Sequence, residues 1–271
     1  MPNIVEIAGA KVLSRVDGTG PALLLLHGIG GNSETNWGPV VDRLSQSHTV
    51  IRPDFPGSGE TKDDGRPLTI GMFAKHAVAA AQSAGATTFD VVGFSMGASV
   101  AIQIATEFPD LVRSVISLAG FAALEDERQV MQFNLWRDLV RTDRGAMARL
   151  LLLTGLSPEF LADMEPDAAR AAVANIVETN NWDGMARQID LGLSVDVRAQ
   201  AARITQPTLV IGCVQDQMVP PAHSRSLATV IPGAVYREID TGHLAAVEKP
   251  DQTAQMILDF VADPEAARRL G

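Results

Sequence analysis

The sequence predicts an α/β fold: a mostly parallel, doubly wound sheet with one helical insertion. Two observations carry that expectation. Short continuous apolar runs recur at residues 22–26, 49–52, 89–92, 115–118, 208–211 and 234–239, each bounded by Gly, Pro or Asp. Runs of this kind are what strands buried on both faces look like in a parallel sheet. Between several of them, and after the last, helical patterning fills residues 37–44, 70–84, 96–107, 222–230 and 252–261. Strand and helix in alternation imply right-handed crossovers, which place helices on both faces of an open sheet.

Ahead of the first core run, residues 3–16 alternate β-formers around Gly9, the pattern of a hairpin at a sheet edge. The alternation of strand and helix breaks once, from 121 to 196, where MQFNLWRDLVR and ARLLLLTG read as helix and no strand follows. The expected organisation is therefore a core domain of residues 1–120 and 197–271 with a helical lid, 121–196, inserted in it. Such an insertion would sit over the carboxyl edge of the sheet, where open α/β sheets bind ligands.

With 271 residues and 46% apolar content the chain can bury a sizeable core without metal or disulfide. A formal charge of -10 disfavours a nucleic-acid surface, which needs clustered Lys and Arg. Cys213 is the one cysteine, so no internal disulfide forms and a reducing cytoplasm fits. The amino terminus lacks a basic region followed by an apolar stretch, and no apolar run approaches the about 18 residues that would span a bilayer. The expectation is a soluble, cytoplasmic protein.

Gly93-Phe94-Ser95-Met96-Gly97 matches G-x-S-x-G, the nucleophile elbow, with FDVV before it as a buried strand and ASVAIQIATEF after it as a helix. The turn would hold Ser95 in a strained conformation with its hydroxyl exposed, and the helix starting at Met96 would aim the positive end of its dipole at a developing oxyanion. His27-Gly28-Ile29-Gly30-Gly31 follows the first core strand and is similar to an oxyanion loop, so the amides of Ile29 and Met96 are the expected oxyanion donors. His27 itself is expected to brace that loop rather than to move protons.

A serine hydroxyl needs a base within hydrogen-bond reach. Of five histidines, His243, in Asp240-Thr241-Gly242-His243-Leu244 just past the last strand, is placed at the carboxyl edge. His48 and His76 are expected on the surface or in the core, and His223 at a helix start where capping accounts for it. Asp216, directly past TLVIG, is the expected orienting acid, ahead of Asp240 and Glu248, which are nearer His243 in sequence only. Cys213 reads as packing.

With those motifs the chain resembles the α/β-hydrolase superfamily from about residue 4 to 262. The order Ser95, Asp216, His243 is the order of that fold, and Arg52-Pro53-Asp54-Phe55-Pro56-Gly57-Ser58-Gly59-Glu60-Thr61 is similar to its D-x-P-G-x-G-x-S loop. Phe108-Pro109-Asp110-Leu111-Val112 is similar to its P-x-x-V turn, and Ala98 departs from a position where relatives often carry Gly. The pattern looks most like 3-oxoadipate enol-lactonases and small bacterial esterases. The resemblance implies an α/β-hydrolase fold and a serine hydrolase that cleaves a carboxylic ester or related acyl bond through an acyl-enzyme, without cofactor or metal.

A thioesterase, enol-lactonase, C–C hydrolase or cofactor-free perhydrolase would share the same residues, and a small-molecule signalling receptor with slow turnover is the alternative outside catalysis. Phe133, Trp136 and Trp182, with Phe160 and Leu150 to Leu153, are candidates to line an apolar acyl pocket, although core packing of a helical lid accounts for them as well. The expected partner is a small-molecule acyl substrate. Nucleic acid and membrane are not expected, and a homodimer is left open.

Overall fold

A computed structural model describes residues 2–7 and 9–265. Among them the sheet has nine strands: β1 (Pro2–Ile7), β2 (Ala10–Asp17), β3 (Ala22–Leu26), β4 (Thr49–Pro53), β5 (Lys62–Asp63), β6 (Phe89–Phe94), β7 (Val112–Leu118), β8 (Thr208–Cys213) and β9 (Val235–Ile239). They lie in the order β1-β2-β4-β3-β6-β7-β8-β9, with the short β5 paired to β2. The pairs made by β2 are antiparallel, and every pair from β4 to β9 is parallel.

The continuous apolar runs are strands because both faces of the sheet are covered. In β3, Leu24 and Leu26 face one core and Leu23 and Leu25 the other, the period-two alternation of a pleated strand with apolar residues at both phases. One face is closed by α2 (Ile70–Ser83), α3 (Met96–Glu107) and α10 (Pro221–Val230), the other by α1 (Ser33–Leu44), α11 (Ala245–Glu248) and α12 (Pro250–Ala262). The sequence places the start of α1 at residue 37. It begins four residues earlier because Asn32 accepts the amides of Glu34 and Thr35, and Thr35 returns a hydrogen bond to the Asn32 amide.

Between β7 and β8 the chain forms α4 (Glu127–Thr142), α5 (Arg144–Gly155), α6 (Pro158–Ala162), α7 (Pro166–Thr179), α8 (Trp182–Gly192) and the short α9 (Arg198–Ala201). The ends of this excursion meet: Ala123 and Asp196 form an antiparallel bridge, and the Val197 amide donates to the Ala122 carbonyl at 2.8 Å. Phe133 stacks at a tilt on Trp136, with centroids 4.9 Å apart, and meets Phe121 edge-on. No helix among the described residues is long and apolar enough to cross a membrane.

Asp54, just past β4 and fully buried, fastens three elements together. Its carboxylate accepts from the Ser33 amide at 2.8 Å, from the Glu60 amide at 3.3 Å and from the Arg15 guanidinium at 3.3 Å. Burial alone would raise this carboxyl, but its hydrogen bonds from the Ser33 hydroxyl and amide and the charge of Arg15 hold it below the ordinary carboxylate range. A lowered carboxyl contributes stability in full above its unfolded value, and that contribution is lost as pH falls through the lower folded value. Asp54→Asn is therefore expected to cost about 1–3 kcal/mol at pH 7, with the gap to wild type closing below about pH 4. Urea midpoints at pH 7 and about pH 3 measure it, and a gap independent of pH would refute the role given to the ionised carboxylate.

Candidate active site

Ser95 stands between β6 and α3 with φ 56° and ψ -122°, a region that side-chain-bearing residues enter at a cost of about 1–3 kcal/mol. The surrounding packing enforces it. The Ser95 amide leaves its own strand and donates to the Leu118 carbonyl of β7 at 2.9 Å. A Cβ on Gly93 would come 2.2 Å from the Gly97 carbonyl, and one on Gly97 would come 2.4 Å from that of Leu26. Strand, turn and helix are thus packed backbone to backbone, and the two glycines of the motif are required by contact. Ala98, the departure from the family pattern, is accommodated by Gly120, where a Cβ would lie 2.4 Å from the alanine methyl.

The parallel register brings the other two residues to the same edge. Cys213 at the end of β8 pairs with Ile239 at the end of β9, so the loops that follow run side by side. From the first, Asp216 turns back on its own chain: one carboxylate oxygen accepts the amides of Met218 at 2.7 Å and Val219 at 2.8 Å. The other oxygen is 2.6 Å from Nδ1 of His243, and both side chains are buried. Two backbone donors fix the carboxylate, which in turn fixes the imidazole; His243 also lies against the Phe94 ring at 4.7 Å.

The competing acids are occupied elsewhere. Glu248 accepts the amides of Ser157 and Gly242, bracing the loop that carries His243, and Asp240 accepts from the Gln215 side chain. Cys213 is buried, and burial together with the nearby Asp216 carboxylate pushes its thiol up, away from the reactive thiolate. His223 differs from its expected capping role: its ring nitrogens lie 3.4 Å from a Glu125 carboxylate oxygen and 3.2 Å from one of Asp126, joining α10 to the entrance of the inserted helices.

His27 is fully buried. Its Nε2 accepts the Phe55 amide at 2.9 Å, which leaves Nδ1 to carry the proton toward the Gly28 carbonyl at 2.8 Å. Burial lowers its pKa against the opposing pull of Asp54 and that carbonyl, so the ring is neutral and acts as a brace. Along the same loop the Gly28 amide is given to Asn36 and the Gly30 amide to Gln188 of α8. The amide between them, that of Ile29, has no acceptor among the described residues. Met96, as the first residue of α3, likewise has an amide with no partner within its helix, and Ser95 makes no side-chain cap there.

Gln188, which the sequence did not single out, is fully buried and also donates to the Pro56 carbonyl and the Ser58 hydroxyl. Nearby, α8 touches the Pro56–Gly59 turn so closely that a Cβ on Gly184 would lie 2.0 Å from the Gly57 carbonyl. A Gln in an amphipathic helix gives no hint of such a role; only the docking of α8 shows it.

Ser95, His243, Gly28 and Ile29 line one cavity of about 170 Å³ beneath the inserted helices. Of the four aromatic candidates for a substrate pocket, Phe133, Trp136, Phe160 and Trp182, only Trp136 reaches it. Phe133 is not on its wall because it fills the space between α4, Phe121 and Trp136. Trp182 is not either: its indole donates to the Val177 carbonyl and its ring lies under the Arg144 guanidinium, 5.6 Å away. Leu151 and Leu152, from the expected leucine run, line it too, and Ile176, Met185, Met218 and Leu244 complete the apolar wall. Asn36, Asn175, Thr179, Asn180 and Asn181 add amides and a hydroxyl that the sequence alone did not mark.

The family model for the alpha/beta hydrolase fold matches residues 21–250. The pyrrolizixenacetamide deacetylase of Xenorhabdus hominickii is 47% identical over 259 residues, covering 96% of this chain and 97% of that protein. The pimeloyl-[acyl-carrier protein] methyl ester esterase of Xanthomonas campestris pv. campestris is 34% identical over 264 residues, covering 91% and 97%. Among solved structures, a hydrolase from Pseudomonas aeruginosa PA01 superposes with a TM-score of 0.85 at 25% identity, over 96% of this chain and 98% of that one. The enol-lactonase from Burkholderia xenovorans LB400 gives 0.87 at 24% identity, over 96% and 100%, a likeness of fold. The chain belongs to the α/β hydrolase fold family, and it is a hydrolase.

Proposed function

We propose that this hydrolase cleaves a carboxylic ester or closely related acyl bond through an acyl-enzyme on Ser95. The observation that carries the reading is the Asp216–His243 pair at 2.6 Å, facing with Ser95 into one cavity at an uncapped helix start. The Ser95 oxygen attacks the acyl carbon while His243 Nε2 takes its proton, and Asp216 stabilises the imidazolium that results. The carbonyl oxygen, now an anion, is held by the amides of Ile29 and Met96. Collapse breaks the bond to the leaving group, which His243 protonates; water then repeats the sequence with His243 as base, releasing the acid and restoring Ser95.

Relatives named as a deacetylase and a methyl ester esterase support hydrolysis of an acyl bond as the common step. Under this reading the residues from α4 to α8 form a lid that selects the substrate, the protein needs no cofactor, and its one cysteine suits a reducing cytoplasm. Slow-turnover receptor function is the competing reading, and multiple turnover on a panel of esters, thioesters, amides and lactones decides between them.

Ser95→Ala is expected to leave the fold intact and to lower kcat by about 10⁴- to 10⁶-fold; retention of more than about a tenth of the activity sinks the nucleophile assignment. Asp216→Asn should cost about 10²- to 10⁴-fold in kcat, since an amide cannot stabilise imidazolium. Asp240→Asn and Glu248→Gln, which keep an acceptor oxygen at their observed contacts, should stay within a few-fold of wild type. A severe loss in either, beside a silent Asp216→Asn, moves the acid elsewhere. Exchanging residues 121–196 for the corresponding segment of a related esterase should change acyl preference, measured as relative kcat/KM across a chain-length series. An unchanged profile would show that the inserted helices do not select the substrate.

A further inference from the structure

The cavity is built for one kind of molecule by what its wall omits. No Asp, Glu, Lys or Arg lines it, and His243 is its one titratable side chain. An ionised group entering would lose hydration and meet no countercharge, a cost that burial of charge always carries without a partner. The Asp216 carboxylate beneath it is already committed to His243 and two amides.

Helix starts are the other common anion sites, and three helices of more than one turn open here, the four-residue α11 behind Leu244 being too short to gather a useful dipole. Asn32 caps α1 by accepting the amides of Glu34 and Thr35, and Asn181 caps α8 by accepting that of Gly184. The third, at Ser95 and Met96, has no side-chain cap and lies at the reacting centre. A substrate carboxylate or phosphate away from the reacting carbonyl therefore finds neither a cation nor a free helix end.

What the mouth does offer is neutral hydrogen bonding. Asn36 spends its side-chain oxygen on the Gly28 amide, which aims its own –NH₂ donors away from that contact. Asn175 makes no side-chain hydrogen bond among the described residues, and Asn180 spends only one donor, on the Met185 sulfur at 3.4 Å. Asn175 and Asn180 each present both a donor and an acceptor and Asn36 adds donors, the match for an amide or lactam rather than for an ion. Asn32, Thr35, Thr179 and Asn181 add further neutral polar groups, while Leu151, Leu152, Ile176, Met185, Met218 and Leu244 make the hydrocarbon side of the wall.

We propose that the substrate class is an uncharged acyl compound with one apolar portion and one amide-like, hydrogen-bonding portion. This rests on the serine-hydrolase reading above. Anionic acyl compounds and quaternary ammonium esters are excluded by desolvation at the cavity, while the chain's formal charge of -10 adds a screened, longer-range repulsion of anions.

The test uses three aryl acetates, bearing a para carboxamide, carboxylate or trimethylammonium group, the first two of one shape so that their comparison isolates charge. Their kcat/KM values are divided by the rates of alkaline hydrolysis to remove leaving-group reactivity. Measurement at about 0.5 M salt screens the long-range field and leaves the cavity term. The carboxamide should exceed both charged esters by at least about tenfold, and Asn175→Lys should raise the carboxylate ester by at least about tenfold. A charged ester within tenfold of the carboxamide, or no gain from Asn175→Lys, overturns the proposal. Labelling of Ser95 by a neutral fluorophosphonate separates the two levels: without labelling the serine mechanism itself fails, whereas labelling without charge discrimination removes the substrate class alone.

Discussion

The structure depends on one turn. At Ser95 a buried parallel strand becomes a helix within a single residue, and the chain enters a left-handed conformation that a serine does not adopt unaided. The strain persists because the strands on either side leave no alternative. β7 captures the Ser95 amide, β3 fixes the carbonyl against which Gly97 packs, and Gly93 lets α3 settle onto the end of its own strand. Relaxing the turn would mean separating β6 from its neighbours at the centre of the sheet. The same constraint leaves the start of α3 uncapped, so a serine oxygen and an open amide face one point.

The remaining polar groups reach that point by hydrogen bonds that converge from separate parts of the chain. Asp216 is held by amides of its own loop and holds His243; Glu248 ties the His243 loop to the start of α6. On the other side, His27 and Asp54 connect β3, β4 and α1, while Asn36 and Gln188 take the two amides that flank Ile29. Occupying the neighbours is what leaves the Ile29 amide free. Under the proposed mechanism such a preset donor would cost no reorganisation as charge develops on the substrate oxygen.

The inserted helices do not form a uniform cover. α8 is locked to the core through Gln188 and through the contact of Gly184 with Gly57. By contrast α7 has no fully buried residue, although it contributes Asn175, Ile176 and Thr179 to the cavity. The wall beside the loop of residues 27–31 is therefore tied to the core by buried polar and backbone contacts, whereas the α7 side is not.

The sheet was legible in the sequence, and so was the meeting of Ser95, Asp216 and His243 at one edge of it. Mostly apolar runs such as those of β3, β6 and β8 must be buried on both sides, and residues past the ends of parallel strands emerge at one edge, which is where Ser95, Asp216 and His243 lie. The tight turn at Ser95 was legible too, because two glycines around a serine between strand and helix have a local geometric meaning. Only the tertiary structure decided the pocket. Phe133, Trp136 and Trp182 are equally large and apolar in sequence, yet which of them meets the cavity depends on the rotation and docking of α4 and α8, set by distant partners such as Phe121 and Gly57. The same holds for Gln188, Asn36 and Asn175: a polar side chain on a helix carries no local signal of whether it faces water, a loop amide or a ligand. Strand burial and turn strain are written within a few neighbouring residues, whereas the lining of a cavity is a sum over packings that the chain makes far from itself.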